Sequence, residues 1–445
     1  MTRHDDTFAP AGTLEGSMRD FRVPKGADLL RRIEGFYQWQ DARRQSGLWP
    51  FSRSTESGPT ATVTARDDRG CSMQGVNFAS QDYLSLASHP EIKATAKDAI
   101  SRYGVHSAGS AALVGNTTHS IALERKIAAF LGMEEAVLFP TGWAAGFGVI
   151  RGLVRSADHI VMDTLAHACL QEGANAATRN VYQFRHLDAD DCGRWLSKIR
   201  AKDVEDGVLV VTEALFSMDS DTPDLAAMQE LCHEYNATLV VDVAHDLGCL
   251  GEDGRGHIGL QGMTGKIDLV LGSFSKTFAS NGGFIACRNR AIKEYLRFYA
   301  SPTTFSNALS QAQAAIVLKA FEIVESKEGA RLRAALMRNI LDLRASLRSR
   351  GLDFYGDPSA IVAVKMGTEG LARLVSRRLP EFGLLANLVE YPAVGKGAAR
   401  FRMQVMAGHT QQNIADAVER MAAAVEAANR EYAMLTKALE IVTAA

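Results

Sequence analysis

No apolar run among the 445 residues approaches the ~20 needed to cross a bilayer, so no spanning helix is expected. A charge of one sign is lacking too. Lys and Arg number 49 against 51 Asp and Glu, and the net of −2 implies no general attraction to nucleic acid or an anionic membrane. Cysteine is sparse. The six, at 71, 169, 192, 232, 249 and 287, show no C-x-x-C spacing. Most sit in or beside apolar segments and read as small buried side chains of a reducing compartment, not as a disulfide framework. Cys169 differs, because it stands two residues after His167. The stretch Met1 to Asp6 has no signal-peptide apolar core, so a cytoplasmic location is expected. Asp163 and His167 have no second His or Cys pair to complete a metal site, and no metal is expected. Repeats and low-complexity segments are also missing.

Two motif matches lack their required company. Ser273-Phe274-Ser275-Lys276 fits S-x-x-K, but neither S-D-N nor K-T-G occurs, which argues against a serine acyl-enzyme. Gly254-Arg255-Gly256-His257-Ile258-Gly259 fits G-x-G-x-x-G, yet no strand immediately precedes it and no helix clearly opens from it. His89, His233 and His257 read as surface or capping residues.

The length is too great for one small core and fits two unequal domains. Residues 1–60 form an arm, 61–309 a large domain and 310–445 a small C-terminal α/β domain. In the arm, Leu29, Leu30, Ile33, Phe36 and Tyr37 recur at helical spacing, a stripe suited to a partner subunit or a membrane surface. Pro90 to Tyr103 reads as a helix ended by Gly104, and His119 to Leu131 as one ended by Gly132. Residues 136–139, 159–162, 208–211 and 238–241 read as buried strands. This alternation predicts a mostly parallel sheet covered by helices. Beyond about Ser310 the pattern turns to long helices and a short α/β segment. The last helix is expected after Thr410, with Ile414, Val418, Met421 and Val425 on one face.

The chemistry concentrates at two strand ends. Lys276 follows the apolar run 267–271 and sits among Gly272, Ser273, Ser275 and Thr277. A strand-end lysine suits an amine that must form a Schiff base, and the hydroxyls suit a phosphate. Alone, it could equally be a solvated loop residue. Asp242 ends another apolar run and is followed by His245. A carboxylate there is a helix cap or an ordinary strand-end acid, or it keeps a ring nitrogen protonated, as pyridoxal phosphate requires. In open α/β sheets ligands gather at the carboxyl ends of strands, where both features lie.

The motifs occur in a fixed order: Asn77 to Leu84, Thr141 to Ala145, Asp163 to Cys169, Thr212 to Asp219, Asp242 to His245, Ser273 to Lys276, Arg400 to Arg402, and His409-Thr410. In that order, from about Asn77 to His409, the chain resembles the α-oxoamine synthases. It looks nearest to their bacterial serine palmitoyltransferase branch through 265–268 and 359–364. The resemblance implies the aspartate-aminotransferase-like fold, with pyridoxal 5'-phosphate held in the large domain.

It also implies roles. Lys276 should hold the cofactor and serve as the proton-transfer base. Asp242 should pair with the pyridine nitrogen, His245 should bond the ring's phenolic oxygen with help from Ser217, and His167 should stack on the ring. Gly142, Trp143, Ser273 and Ser275 should cradle the phosphate, with Trp143 as core the competing reading. Arg402 should clamp the amino-acid carboxylate in preference to Arg400. Ser306 and Asn307 should reach the neighbour's phosphate in a homodimer with shared sites, or else cap a helix in the small domain. The implied reaction is a decarboxylative Claisen-type condensation of a small amino acid with acyl-CoA or acyl-carrier protein. An aminotransferase or lyase of the same fold stays open, and Lys276 argues against a non-catalytic partner subunit. The chain departs from relatives at Ala111, where arginine is common, at Cys169, and at Val243 and Asp246 around His245. These departures put the substrate in doubt.

Overall fold

The computed structural model describes residues 11–444. Two compact units emerge. One joins the N-terminal part up to Ser80 with the segment from Arg338 onward, and the other runs Gln81–Met337.

Three strands lie early: β1 (Ser54–Thr55), β2 (Thr62–Arg66) and β3 (Ser72–Phe78). Seven follow: β4 (Glu135–Phe139), β5 (His159–Asp163), β6 (Val181–Phe184), β7 (Val208–Glu213), β8 (Thr238–Asp242), β9 (Leu269–Ser273) and β10 (Gly283–Cys287). The last four are β11 (Phe354–Tyr355), β12 (Ile361–Gly367), β13 (Leu384–Val389) and β14 (Ala399–Gln404).

The middle unit is built on the sheet β4-β10-β9-β8-β7-β5-β6. Strands β6, β5, β7, β8 and β9 pair in parallel, and β10 runs antiparallel between β9 and β4. Strands β5, β7, β8 and β9 are buried along nearly their whole length, which is why they read as continuous apolar runs rather than alternating ones. Ile160, Met162, Val211, Val240, Leu271 and Ile285 share one core with residues of the Gly142–Leu153 and Ala168–Ala177 helices. Helix limits follow local chemistry. The helix Pro90–Tyr103 starts with proline at its first position, is capped by His89, and stops at Gly104, whose φ is +80°.

The other unit carries a second seven-stranded sheet, β1-β2-β3-β13-β14-β12-β11, antiparallel except where β3 meets β13. Early strands thus complete a sheet whose other members lie some 300 residues later. For that reason the chain divides after Ser80 and after Met337, whereas local patterning suggested breaks at 60/61 and 309/310. Pairing between distant strands leaves no local signature.

The segment expected as an arm is built into this unit. Helix Glu34–Gln45 packs Phe36 and Trp39 against Phe21 and Trp49. Arg43, fully buried, lies over Trp39 and forms an ion pair with Glu390 at 3.3 Å. Arg373, also fully buried, holds the other Glu390 oxygen at 2.7 Å and donates to the carbonyls of Leu14 and Gly16. Leu29, Leu30, Ile33 and Tyr37 of the stripe are exposed in the described chain. Among the described residues no helix is long and apolar enough to cross a membrane.

Candidate active site

Because β5, β7, β8 and β9 are parallel, their carboxyl ends meet at one edge of the sheet. Glu213 ends β7 directly beside Asp242, which ends β8, and Ser273 ends β9 three residues before Lys276. A cavity of about 370 Å³, measured out to its open mouth, is lined there by Gly142, Trp143, His167, Asp242, His245, Ser273 and Lys276. Those seven are all anticipated site residues. Cys169, Glu213, Ala244, Leu271 and Gly272 complete the wall.

Each functional group is fixed by its neighbours. Asp163 turns the chain after β5 by accepting from the Leu165 amide at 2.8 Å. That turn delivers His167, whose own amide donates to Glu213 Oε1 at 2.6 Å. His245 Nδ1 lies 2.8 Å from the Tyr83 hydroxyl, and both residues are buried. Asp242 Oδ1 accepts from the Ala244 amide at 2.8 Å. Burial pushes the Asp242 carboxyl up from the usual carboxylate range, while Lys276 and the Ala244 amide pull it back. Burial and then Asp242 push Glu213 well up, against the His167 amide. Two adjacent buried carboxylates with raised proton affinity make a site that favours a cationic ring nitrogen.

The donor set also fits a phosphate. The Gly142–Leu153 helix points its first turn into the cavity, and its unpaired amides and dipole favour an anion. A Cβ on Gly142 would stand 2.5 Å from Ser273 Oγ, so glycine keeps this corner open. The chain therefore carries what a pyridoxal phosphate group needs: an amine, a buried carboxylate and an anion cradle.

The remaining anticipated residues lie elsewhere. Ser217 is buried in the turn after β7 and Ser275 is exposed, its amide donating to Ser273 Oγ at 3.3 Å. Ser306 and Asn307 line a different cavity with Ala111 and Asn116. There Ser306 donates to the Pro302 carbonyl, and the Asn307 amide lies 2.9 Å from His106 Nε2. Arg402 sits on β14 in the other unit, opposite Ala363 and Asn387. Arg400 is buried, with its guanidinium 4.0 Å from the centre of the Tyr355 ring. Trp143 is 45% exposed and stacks on Phe147, so it is not a core residue.

Three structural partners were not read as such. Glu213 and Tyr83 stand within the motifs Thr212 to Asp219 and Asn77 to Leu84, where residue type alone gives them no role. The third resolves two oddities together. Asp246, fully buried, accepts from the His257 amide at 2.7 Å and faces His257 Nδ1 at 2.9 Å. Gly256, at φ +62°, leaves the room, since a Cβ there would stand 2.5 Å from the carboxylate. The G-x-G-x-x-G segment is thus a nest for Asp246, and His257 is its partner rather than a surface residue. A further cluster lies behind the site. His186 bridges Asp163, at 2.9 Å through Nδ1, and Asp221, at 3.1 Å through Nε2. Among the described residues no group of His, Cys, Asp and Glu is arranged to hold a metal.

Residues 74–421 match the family model for aminotransferase class I and II. The chain is 34% identical over 394 residues to the 8-amino-7-oxononanoate synthase of Trichlorobacter lovleyi, covering 88% of this chain and 97% of that one. It is 32% identical over 380 residues to the 2-amino-3-ketobutyrate coenzyme A ligase of Escherichia coli, covering 85% and 94%. Among solved structures, a serine palmitoyltransferase from S. paucimobilis with a bound PLP–myriocin adduct superimposes with a TM-score of 0.84 at 27% identity, covering 90% of this chain and 99% of that one.

Proposed function

This chain belongs to the aminotransferase class I and II family and, within it, to the pyridoxal-phosphate-dependent α-oxoamine synthases, and from that membership we propose that it joins a serine-like or other small amino acid to an acyl thioester with loss of carbon dioxide. The observation that carries the reading is the convergence of Lys276, Asp242, His167 and His245 on one cavity at the mouth of the Gly142–Leu153 helix.

When bound, pyridoxal phosphate supplies an electron sink for the carbanion at the amino acid's α-carbon. Lys276 would hold it through Nζ, Asp242 would face its ring nitrogen, and His245, braced by Tyr83, would face its phenolic oxygen. The amides of Gly142 and Trp143 with the Ser273 hydroxyl would take the phosphate. Ser275 would add to the phosphate cradle and Ser217 would assist His245, although neither lines the cavity wall. Once released, Lys276 Nζ takes the α-proton and later returns a proton to the same carbon. Between those transfers the α-carbon bonds to the acyl carbon, the thiol leaves, and the carboxylate departs as carbon dioxide. Arg402 supplies a planar bidentate donor for the amino acid's carboxylate.

We further propose that the protein works as a homodimer with Ser306 and Asn307 completing the partner's phosphate site. Within one chain these residues line a separate cavity, and neighbouring Phe305 is 86% exposed. Complementation tests this. Lys276→Ala mixed with a variant bulky at both 306 and 307 should recover about a quarter of wild-type activity if sites are shared across a two-fold axis. No recovery despite proven subunit exchange refutes the shared site.

The activity itself is tested by product mass spectrometry with each amino acid plus acyl-CoA or acyl-carrier protein. An α-amino ketone formed with carbon dioxide supports the reading. Production of only a 2-oxo acid would assign an aminotransferase instead.

A further inference from the structure

We propose that His167 works as a neutral imidazole fixed in the Nε2–H tautomer, and that Cys169 is the positioning residue that helps fix it. Three observations meet at Nδ1. His167 is the N-cap of the Ala168–Ala177 helix, and its Nδ1 lies 3.3 Å from the Cys169 amide nitrogen. A backbone N–H can only donate, so Nδ1 offers a lone pair and the ring proton sits on Nε2. The Cys169 thiol stands 2.9 Å from the same Nδ1. It is buried, and burial pushes the thiol up, which keeps its proton available for donation. The third observation is electrostatic. A proton added at Nδ1 would displace the cap and put a cation at the positive end of a ten-residue helix.

The thiol's place is prepared by a second element. A Cβ on Gly146 would stand 2.4 Å from Cys169 Sγ, so glycine in the Gly142–Leu153 helix opens the slot the sulfur fills. A serine here would present a shorter donor. Cysteine with Gly146 reaches the same lone pair in another way.

Other charged groups share the cavity. Glu213 comes from β7, Asp242 and His245 from β8 and its turn, and Lys276 from beyond β9. The two carboxylates favour an imidazolium and Lys276 opposes it. Glu213 is already engaged by the His167 amide, so its carboxylate orients the residue's backbone. The consequence for the reaction is that His167 contributes a flat neutral face and one fixed N–H donor, and shuttles no proton. That consequence rests on the function proposed above, whereas the tautomer does not.

The test is ¹⁵N NMR of histidine-labelled full-length protein, with the His167 signals assigned by difference from His167→Gln. The expected result is an unprotonated Nδ1, a protonated Nε2 and no titration between about pH 6 and 8. In Cys169→Ala the ring should begin to titrate within that window, and kcat/KM should fall ~3–10-fold, mainly in kcat, with a new acid limb in its pH profile. Cys169→Ser should restore the wild-type profile. A protonated Nδ1, or ordinary titration near pH 6.5, in the wild type overturns the tautomer. Unchanged spectra and pH profile in Cys169→Ala overturn the role of the thiol. Because the spectra need no acyl substrate, either failure is distinct from failure of the proposed reaction.

Discussion

Replacing His186 by glutamine should remove a pH-dependent share of stability, and the structure sets its size. The ring lies between Asp163 and Asp221, 2.9 and 3.1 Å from their oxygens. Burial opposes its charge, but the two carboxylates dominate and raise its pKa from 6.5 to about 10. At full value that displacement corresponds to ~5 kcal/mol. The side chain is 20% exposed, so water screens part of the attraction and roughly 2–3 kcal/mol is expected. The folded-state pKa is raised, so the contribution is complete below pH 6.5 and fades as pH climbs through about 10. The assay is thermal unfolding of wild type and His186→Gln in matched buffers from about pH 6.5 to pH 10. The wild type should melt roughly 4–8 °C higher near neutrality, and the gap should close toward the alkaline end. A gap that stays constant or widens with pH would refute the bridging imidazolium. Activity should fall as well, because Asp163 shapes the turn that delivers His167.

Purified protein should be yellow, and Lys276→Ala should abolish the visible absorbance of the lysine-bound cofactor together with turnover; unchanged turnover would sink the assignment. Asp242→Asn should keep the fold, checked by circular dichroism, and lose at least ~100-fold in kcat/KM, since a charge-assisted bond worth roughly 1.5–3 kcal/mol or more is lost. Glu390→Gln would leave Arg43 and Arg373 buried without their shared carboxylate, and ~3–5 kcal/mol of stability should disappear in denaturant titration.

The cavity wall was legible because its chemistry is local. A lysine just past a buried strand and an acid at the end of another declare themselves by residue type and position, and the parallel sheet then brings Asp242 and Lys276 together. Glu213 was harder to assign. Its strand looked like ordinary core, and only the lateral register with Asp242 makes it a second buried carboxylate in the site. Asp246 and His257 are eleven residues apart and meet because Gly256 adopts φ +62°, a backbone turn that residue patterning alone does not specify. The same limit applies to β3, whose partner β13 is chosen by the folded sheet.

The buried arginine–glutamate–arginine group also has a temporal consequence. Arg43 leaves the ribosome 347 residues before Glu390. At roughly 5–20 residues per second, it waits on the order of 20–70 s for its counter-ion. The stretch made first therefore cannot finish first, while residues 81–337 contain all the strands of their own sheet and can close during synthesis. Nascent chains stalled near residue 370 should accordingly resist protease across that middle stretch and be cut between Ala11 and Ser80. Early protection of the leading segment would show that it folds without its late partners.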